Sequence, residues 1–290
     1  MIWVQALRIF SFTATAVPIL LCMAVAYHER LSFSWLAVLL VLIGVISLHA
    51  GTNLVNDYYD YQRGLDTKET LGSSRVLVDG LLSPQEMKNG IIFFYLTAVL
   101  CGCYFLLKYG LPLAIILLIG LVGSFLYTGG GRFSFKYLAL GEISTFILIG
   151  PLLFTGIFLA LTGIYSPGAL GVSLPIGFLS AAIVSSNNIR DIQEDRDSGI
   201  KTIGTLFGHR IASGIYTAEI LIAYFFCPIL IYLRVFNISS LLMVLSLPMA
   251  WGLIQLVRHN KSLSPLIAAQ TAQLQLIFGL ILAVSFMLPI

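Results

Sequence analysis

Charge is what this sequence has least of. Of its 290 residues only 10% are Asp, Glu, Lys or Arg, while 58% are hydrophobic. A soluble domain carries about 25% charged side chains. Sixteen basic and 13 acidic residues cannot cover the water-facing surface of such a chain, which excludes a soluble enzyme. Their near balance leaves no basic field for a nucleic-acid partner, and the apolar content excludes a disordered chain. Cysteine is scarce too. Cys101 and Cys103 form a C-x-C, but no His or second Cys pair lies near enough to complete a zinc site. All four cysteines fall in apolar runs and read as helix filler. His28, His49, His209 and His259 are scattered, and no Ser-His-Asp pattern is visible. Thr128-Gly-Gly-Gly131 fits neither a P-loop nor a dinucleotide fingerprint, although it lets backbone approach a ligand.

What is present is a series of long apolar runs. Spanning the hydrocarbon core takes about 20 apolar residues, and nine runs qualify: 9–27, 33–55, 91–107, 111–127, 143–162, 169–186, 211–233, 239–257 and 266–290. Glu219 is the one charged residue inside them. The runs are too continuous for the alternating strands of a membrane barrel. The sequence therefore predicts an all-α integral membrane protein, a bundle of nine transmembrane helices forming a single domain over 1–290. Ala24-Val25-Ala26 resembles a signal-peptidase site, but the preceding run is long for a signal segment, so a retained first helix is expected. With the N-terminus in the cytoplasm, 13 of the 16 basic residues fall on the cytoplasmic side, as the positive-inside rule requires. The C-terminus then lies outside, and the membrane is the cell's inner or plasma membrane.

The acids are more unevenly placed than the bases. Ten of the 13, including every aspartate, lie in two cytoplasmic segments, about 56–88 and 188–210. If the second helix continues past its apolar run, Asn53, Asn56, Asp57 and Asp60 share one face at i, i+3, i+4 and i+7. After the sixth run, Asn187, Asp191 and Asp195 repeat the arrangement at i, i+4 and i+8. Like charges at this spacing destabilise an isolated helix by several tenths of a kcal/mol, so a neutralising cation is expected. Hard oxygen donors suit Mg²⁺, which takes one or two carboxylates and completes its shell with water and phosphate oxygens. Two acidic clusters imply two such ions, or one diphosphate clamped from both sides. Lys68 and Arg75 follow the first cluster, Arg190 and Lys201 flank the second, and Arg132 and Lys136 lie on the loop between. Arg forks two phosphate oxygens, whereas Lys supplies a compact charge.

At these residues the chain resembles the UbiA superfamily of intramembrane prenyltransferases over nearly its full length. The resembling stretches are Asn56-Asp-Tyr-Tyr-Asp60 through Asp66-Thr67, Arg75 to Pro84, Tyr127-Thr-Gly-Gly130, Phe135-Lys-Tyr137, Leu140-Gly-Glu142 with Gly150-Pro151, and Asn187-Asn-Ile-Arg-Asp191 through Asp195-Arg196 to Lys201-Thr202. Where the general family pattern has a third aspartate four residues after the second, this chain has Gly64. Asp66 stands two residues later, as in the branch that prenylates naphthoquinone precursors. The resemblance implies nine helices around a central cavity and Mg²⁺-dependent transfer of a polyprenyl chain from its diphosphate to an aromatic carbon. It implies one magnesium on Asn56, Asp60 and Asp66, a second on Asp191 and Asp195, and support from Asp57 and Asn187. Asp60, Asp191, Asp195, Tyr127 and Lys136 would do the catalysis, with Lys68, Arg75, Arg132, Arg190 and Lys201 on the diphosphate. Tyr127 and Tyr58 are candidates to face the allylic cation. The branch implies 1,4-dihydroxy-2-naphthoate as acceptor and a place in menaquinone biosynthesis. The lipid bilayer is the remaining partner, since an isoprenoid tail is insoluble in water. A 4-hydroxybenzoate acceptor is the closest alternative. A secondary transporter is a more distant one, because its site would sit at the bilayer midplane on broken helices.

Overall fold

The computed structural model describes residues 2–67, 73–260 and 263–288. Eleven helices organise these: α1 (Ile2–Ala6), α2 (Thr13–His28), α3 (Trp35–Gln62), α4 (Pro84–Tyr109), α5 (Leu111–Leu126), α6 (Gly141–Thr162), α7 (Pro167–Arg190), α8 (Ile192–Asp197), α9 (Ile203–Tyr232), α10 (Ile238–His259) and α11 (Ile267–Met287). No strand occurs among the described residues; one isolated bridge joins Leu138 to Lys201. Seven helices (α3, α4, α6, α7, α9, α10, α11) are long and apolar enough to cross a membrane, and α2 and α5 are shorter apolar helices of 16 residues each. The chain is a multi-pass membrane protein.

Each expected run falls on one helix, with instructive differences at the ends. The first begins four residues late, because residues 9–12 form a separate 3₁₀ turn after Arg8 takes a left-handed backbone (φ 51°). Others are longer than their apolar stretch. The helix α4 starts at Pro84, where Ser83 and Glu86 form a reciprocal capping box. Similarly, α3 runs past Val55 to Gln62 and α7 past Ser186 to Arg190. These polar extensions carry the two Asn/Asp clusters beyond the apolar bundle.

Helix α7 lies at the centre. Its buried face is mostly small, with Gly171, Ser173, Gly177, Ser180, Ala181, Ala182, Ser185 and Ser186, and small residues let membrane helices approach closely. At Gly150, beside Pro151 in the kink of α6, a Cβ would stand 3.0 Å from the Gly177 Cα and 3.1 Å from the Ser173 carbonyl oxygen. Backbone meets backbone there, so only glycine fits. Polar ties lock the centre: Gln275 Nε2 donates to Ser180 Oγ (2.6 Å) and Ser185 Oγ to Glu219 Oε2 (2.6 Å). The acid inside a span is thus an interhelical tie, and the glutamines of the last run do not interrupt α11. Leu107, Leu111, Phe225 and Tyr232 are fully or largely exposed, as expected of lipid-facing side chains. A second, smaller apolar cluster gathers Ala6, Leu54, Tyr58, Val76, Leu77, Leu82 and Met87 around the end of α3.

Candidate active site

The first cluster is on a helix, as its spacing predicts, but it does not form one face. It splits into two i, i+4 pairs that look different ways. Asn53 and Asp57 face the N-terminal segment: Asn53 Nδ2 donates to the Leu7 carbonyl (2.9 Å) and Ser11 Oγ (3.1 Å), and Asp57 pairs with the Arg8 guanidinium. Asn56 and Asp60 face the loop between α5 and α6. Thr128 Oγ1 donates to Asn56 Oδ1 (2.9 Å), and Lys136 Nζ reaches both Asn56 Oδ1 (3.3 Å) and Asp60 Oδ2 (2.6 Å). The Tyr137 hydroxyl donates to the other Asp60 oxygen. Four residues cover slightly more than one helical turn, so adjacent rows diverge enough to meet different neighbours.

That loop is shaped for the purpose. After α5 ends at Leu126, the Lys136 amide returns to the Tyr127 carbonyl (3.0 Å), and Ser134 Oγ, fully buried, donates to the Thr128 carbonyl (2.5 Å). A 3₁₀ turn over Phe135–Tyr137 then presents Lys136 and Tyr137 together. Burial works to lower the Lys136 ammonium, but the Asp60 carboxylate beside it, together with Tyr137 and Tyr127, outweighs burial and holds it protonated above the ordinary lysine range. Burial and then Asp60 push the Tyr137 phenol up, keeping it a donor. The Arg63 guanidinium lies 4.3 Å over the Tyr137 ring.

The second cluster meets the first through the same loop. The Ala139 amide donates to the Lys201 carbonyl (2.8 Å), and Asn188 Nδ2 to Glu142 Oε1 (2.9 Å) at the start of α6. Asp191 ends α7 in a non-helical turn, and Asp195 follows one turn later on α8. Arg190 forks Asp191 with two 2.6 Å bonds. Among the described residues, no side chain bonds to Asp195. Burial raises its carboxyl to about 7; Lys136 acts to lower it, and Asp191, Asp60 and Glu194 to raise it further. Lys136 and Asp60 therefore sit within electrostatic reach of Asp195. Asp66 joins the same field: burial, opposed by the Ser73 hydroxyl at 2.7 Å, leaves its carboxyl at about 6, with Asp60 and Asp57 adding to the rise.

Some expected residues lie elsewhere. Tyr58 is 5% exposed and packs in the second apolar cluster with Lys88 5.5 Å over its ring. Two positions before Asp60 on a helix means the opposite side, so it is not placed to face an allylic cation near Asp60. Arg75, at φ 65°, bonds Asp79 (3.1 Å), and Arg132 is exposed over the Phe133 ring. Lys201 joins the site through its backbone, its side chain being exposed. Asn187 is half-buried and offers its carbonyl to the Asp191 amide (2.9 Å). Tyr127 is half-buried at the end of α5. Lys68 lies outside the described residues. Tyr137, Thr128, Arg8 and Glu142 emerge from the structure as contacts of the clusters. Tyr137 stood beside Lys136 in a resembling stretch, and that adjacency was the one sequence signal for it.

Among the described residues, no three Asp, Glu, His or Cys side chains come close enough to cage a metal by themselves. The arrangement is an oxygen-rich end of the bundle, with spaced carboxylates, an amide oxygen and one half-buried ammonium.

Residues 15–287 match the UbiA prenyltransferase family. UbiA prenyltransferase domain-containing protein 1 of Xenopus tropicalis is 35% identical over 296 residues, covering 99% of this chain and 84% of that protein. Its Danio rerio counterpart is 36% identical over 298 residues, covering 99% and 86%. The structure of a UbiA homolog from Archaeoglobus fulgidus bound to GPP and Mg²⁺ superposes with a TM-score of 0.72 at 16% identity, covering 98% of this chain and all of that one, which shows a common fold. With the family match over nearly its whole length and these identities, the chain belongs to the UbiA prenyltransferase family and is a prenyl-transferring membrane enzyme.

Proposed function

We propose that this protein transfers a polyprenyl chain from polyprenyl diphosphate to 1,4-dihydroxy-2-naphthoate with loss of the carboxylate as CO₂, a step of menaquinone biosynthesis. The observation that carries the transfer chemistry is that one loop holds Asn56 and Asp60 through Lys136 and is tied, through the Ala139–Lys201 and Glu142–Asn188 bonds, to the segments flanking Asp191 and Asp195. The acceptor rests on the stretches around Asp60–Asp66, Tyr127–Gly130 and Phe135–Tyr137, which resemble the naphthoate branch.

The donor set fits magnesium. Lys136 Nζ sits between an amide oxygen and a carboxylate oxygen, standing where those oxygens would receive a cation. The spacing of the remaining carboxylates suits an ion that takes one or two from the protein and the rest from phosphate and water. Asn56, Asp60 and Asp66 would hold one ion, with Asp191 and Asp195 holding another. Bound there, magnesium supplies positive charge against the diphosphate's growing negative charge.

The chain's own residues do the rest. Lys136 contributes a fixed ammonium at the diphosphate as its C–O bond breaks and the electron pair leaves with the phosphate. Tyr137 holds Asp60 in place. Arg190, with Lys201 and Arg132 exposed on the neighbouring loops, makes this end of the bundle attractive to anions, both the diphosphate and the acceptor's carboxylate. The apolar bundle takes the isoprenoid tail and keeps water from the allylic carbon, and Tyr127 offers an aromatic face at the end of α5. The electron-rich ring forms the new C–C bond at that carbon. The bond to its carboxylate then breaks, its electron pair restoring aromaticity as CO₂ departs.

In this reading the single domain crosses the membrane nine times, α2 and α5 included, with both clusters cytoplasmic. Cysteines introduced at exposed Gln85 and Ser198, on a background lacking the four native ones, are expected to label from the cytoplasmic side; labelling from opposite sides refutes this topology. The acceptor is tested by supplying the naphthoate and 4-hydroxybenzoate side by side with one polyprenyl diphosphate and Mg²⁺. Prenylated naphthoate with stoichiometric CO₂ is expected. Product from 4-hydroxybenzoate alone, its carboxylate retained, would overturn the acceptor and leave the metal assignment standing.

A further inference from the structure

Residues 3–11 run as a strap across the end of the bundle that holds the first cluster, anchored on α3, on the loop that follows it and, through Trp3, on the start of α4. The Trp3 ring packs on Gly90 of α4, where an added Cβ would meet it at 2.8 Å. Gln5 Nε2 donates to the Ser74 carbonyl (2.7 Å), one residue from the Ser73 that bonds Asp66. Ala6 is buried in the apolar cluster formed by Leu54 of α3 and by Val76, Leu77 and Leu82 of the loop. The Leu7 carbonyl and Ser11 hydroxyl accept from Asn53, and Ser11 also bonds His49 (3.1 Å). At the middle of the strap Arg8 adopts φ 51° and aims its guanidinium at Asp57. Asp57 is 2% exposed, and the Arg8 side chain 18%.

A left-handed backbone at a non-glycine residue is unfavourable and persists only where its surroundings fix it. Here it turns the chain so that a long cationic side chain meets the one carboxylate of the cluster that points away from Lys136. The pairing has a consequence for the neighbours of Asp57. With Asp57 and Asn53 held on the strap side, the rotation of α3 about its axis is set, and Asn56 and Asp60 are left facing the opposite loop. We propose that Arg8 is a positioning residue for the transfer reaction: by holding Asp57 against the strap it keeps that carboxylate out of the diphosphate mouth and orients Asn56 and Asp60 into it. This rests on the reading of Asn56 and Asp60 as cation-binding groups given above. It assigns Asp57 to the strap, although its sequence neighbours and charge would equally suit a ligand.

Removing Arg8 strands a buried carboxylate without compensation, whereas Asp57→Asn leaves an uncharged amide whose oxygen still accepts from the less buried Arg8. The test uses the full-length protein in detergent, with Mn²⁺ binding followed by EPR in the presence of geranyl diphosphate and no acceptor, and thermal unfolding measured alongside. Asp57→Asn is expected to keep Mn²⁺ affinity within about threefold of wild type, and Asp60→Asn to weaken it by about tenfold or more. Arg8→Ala is expected to weaken it by about tenfold and to lower the melting temperature. Adding Asp57→Asn to Arg8→Ala should then recover most of both losses, a non-additivity that marks coupled neighbours. Wild-type binding with Asp57→Asn as damaging as Asp60→Asn, or a double variant no better than Arg8→Ala, overturns this inference alone. A wild type that binds no Mn²⁺ overturns the metal reading and the inference with it.

Discussion

The two Asn/Asp clusters look alike as sequence and are built differently. The first is neutralised from outside its own segment. Asp60 receives Lys136 and Tyr137 from a distant loop and Asp57 receives Arg8, while Asp66 takes a hydrogen bond from Ser73 of its own segment. The second is left to itself: Asp191 is forked by the adjacent Arg190, and the Asp195 carboxylate has no hydrogen-bond partner among the described residues. Similar residue types at related spacings thus yield one half-site whose oxygens are already held and one whose carboxylate stays half-buried and short of positive charge. A bound cation would find rigid oxygens on the first side. On the second it would relieve a carboxyl that burial has raised to about 7.

Removing either half should have the largest effect. Asp60→Asn and Asp195→Asn are each expected to lower diphosphate release by about two to three orders of magnitude, the range seen when one electrostatic partner of a transition state is lost. Size-exclusion profiles should be unchanged. A chelator is expected to abolish activity and Mg²⁺ to restore it. Full turnover in either variant would break the pairing of the clusters.

The difference between the halves is sharpened by their cations. Lys136→Gln removes the ammonium that bridges Asn56 and Asp60, and kcat is expected to fall by about tenfold to a hundredfold. Arg190→Gln removes a guanidinium whose carboxylate is the next residue and partly exposed, so a fall of about threefold to tenfold is expected, mostly in the KM for the diphosphate. The reverse ranking would mean that the second cluster is the organised one.

The smallest effect should come from an aromatic substitution. Tyr58→Phe deletes only the hydroxyl that accepts from Gln62 at 2.5 Å, on the side of α3 away from Asp60, and turnover should stay within about twofold of wild type. Tyr127→Leu removes the half-buried ring at the end of α5, and a loss of about tenfold is expected, the scale of a cation–π contact in a dry site. Equal losses at both tyrosines would place Tyr58 in the cavity after all.

Much of this was legible in the chain. Apolar runs of this length have few alternatives to a helix, because a backbone in hydrocarbon must satisfy its own hydrogen bonds. Thus each run fell on a helix, and the misplacements were at ends such as Pro84, Gln62 and Arg190, where capping and polar continuation set the boundary. The aspartates at 60, 66, 191 and 195 stood out because acids are so few. Tyr58 did not sort itself from Tyr127, since aromatic character says nothing about which side of a helix meets a neighbour.

What the sequence by itself determined is therefore the class of protein, the helical runs and the oxygen chemistry of two polar ends, all set by local composition and by spacing within one segment. What only the tertiary structure decided is how those ends are shared out. Lys136 lies 76 residues from Asp60 and Arg8 lies 49 from Asp57, separations over which periodicity carries no information. A helical row at i, i+3, i+4 and i+7 is one stripe on paper. Packing a strap on one side and a loop on the other divided it, because each side chain meets whichever element lies against its own edge of the helix.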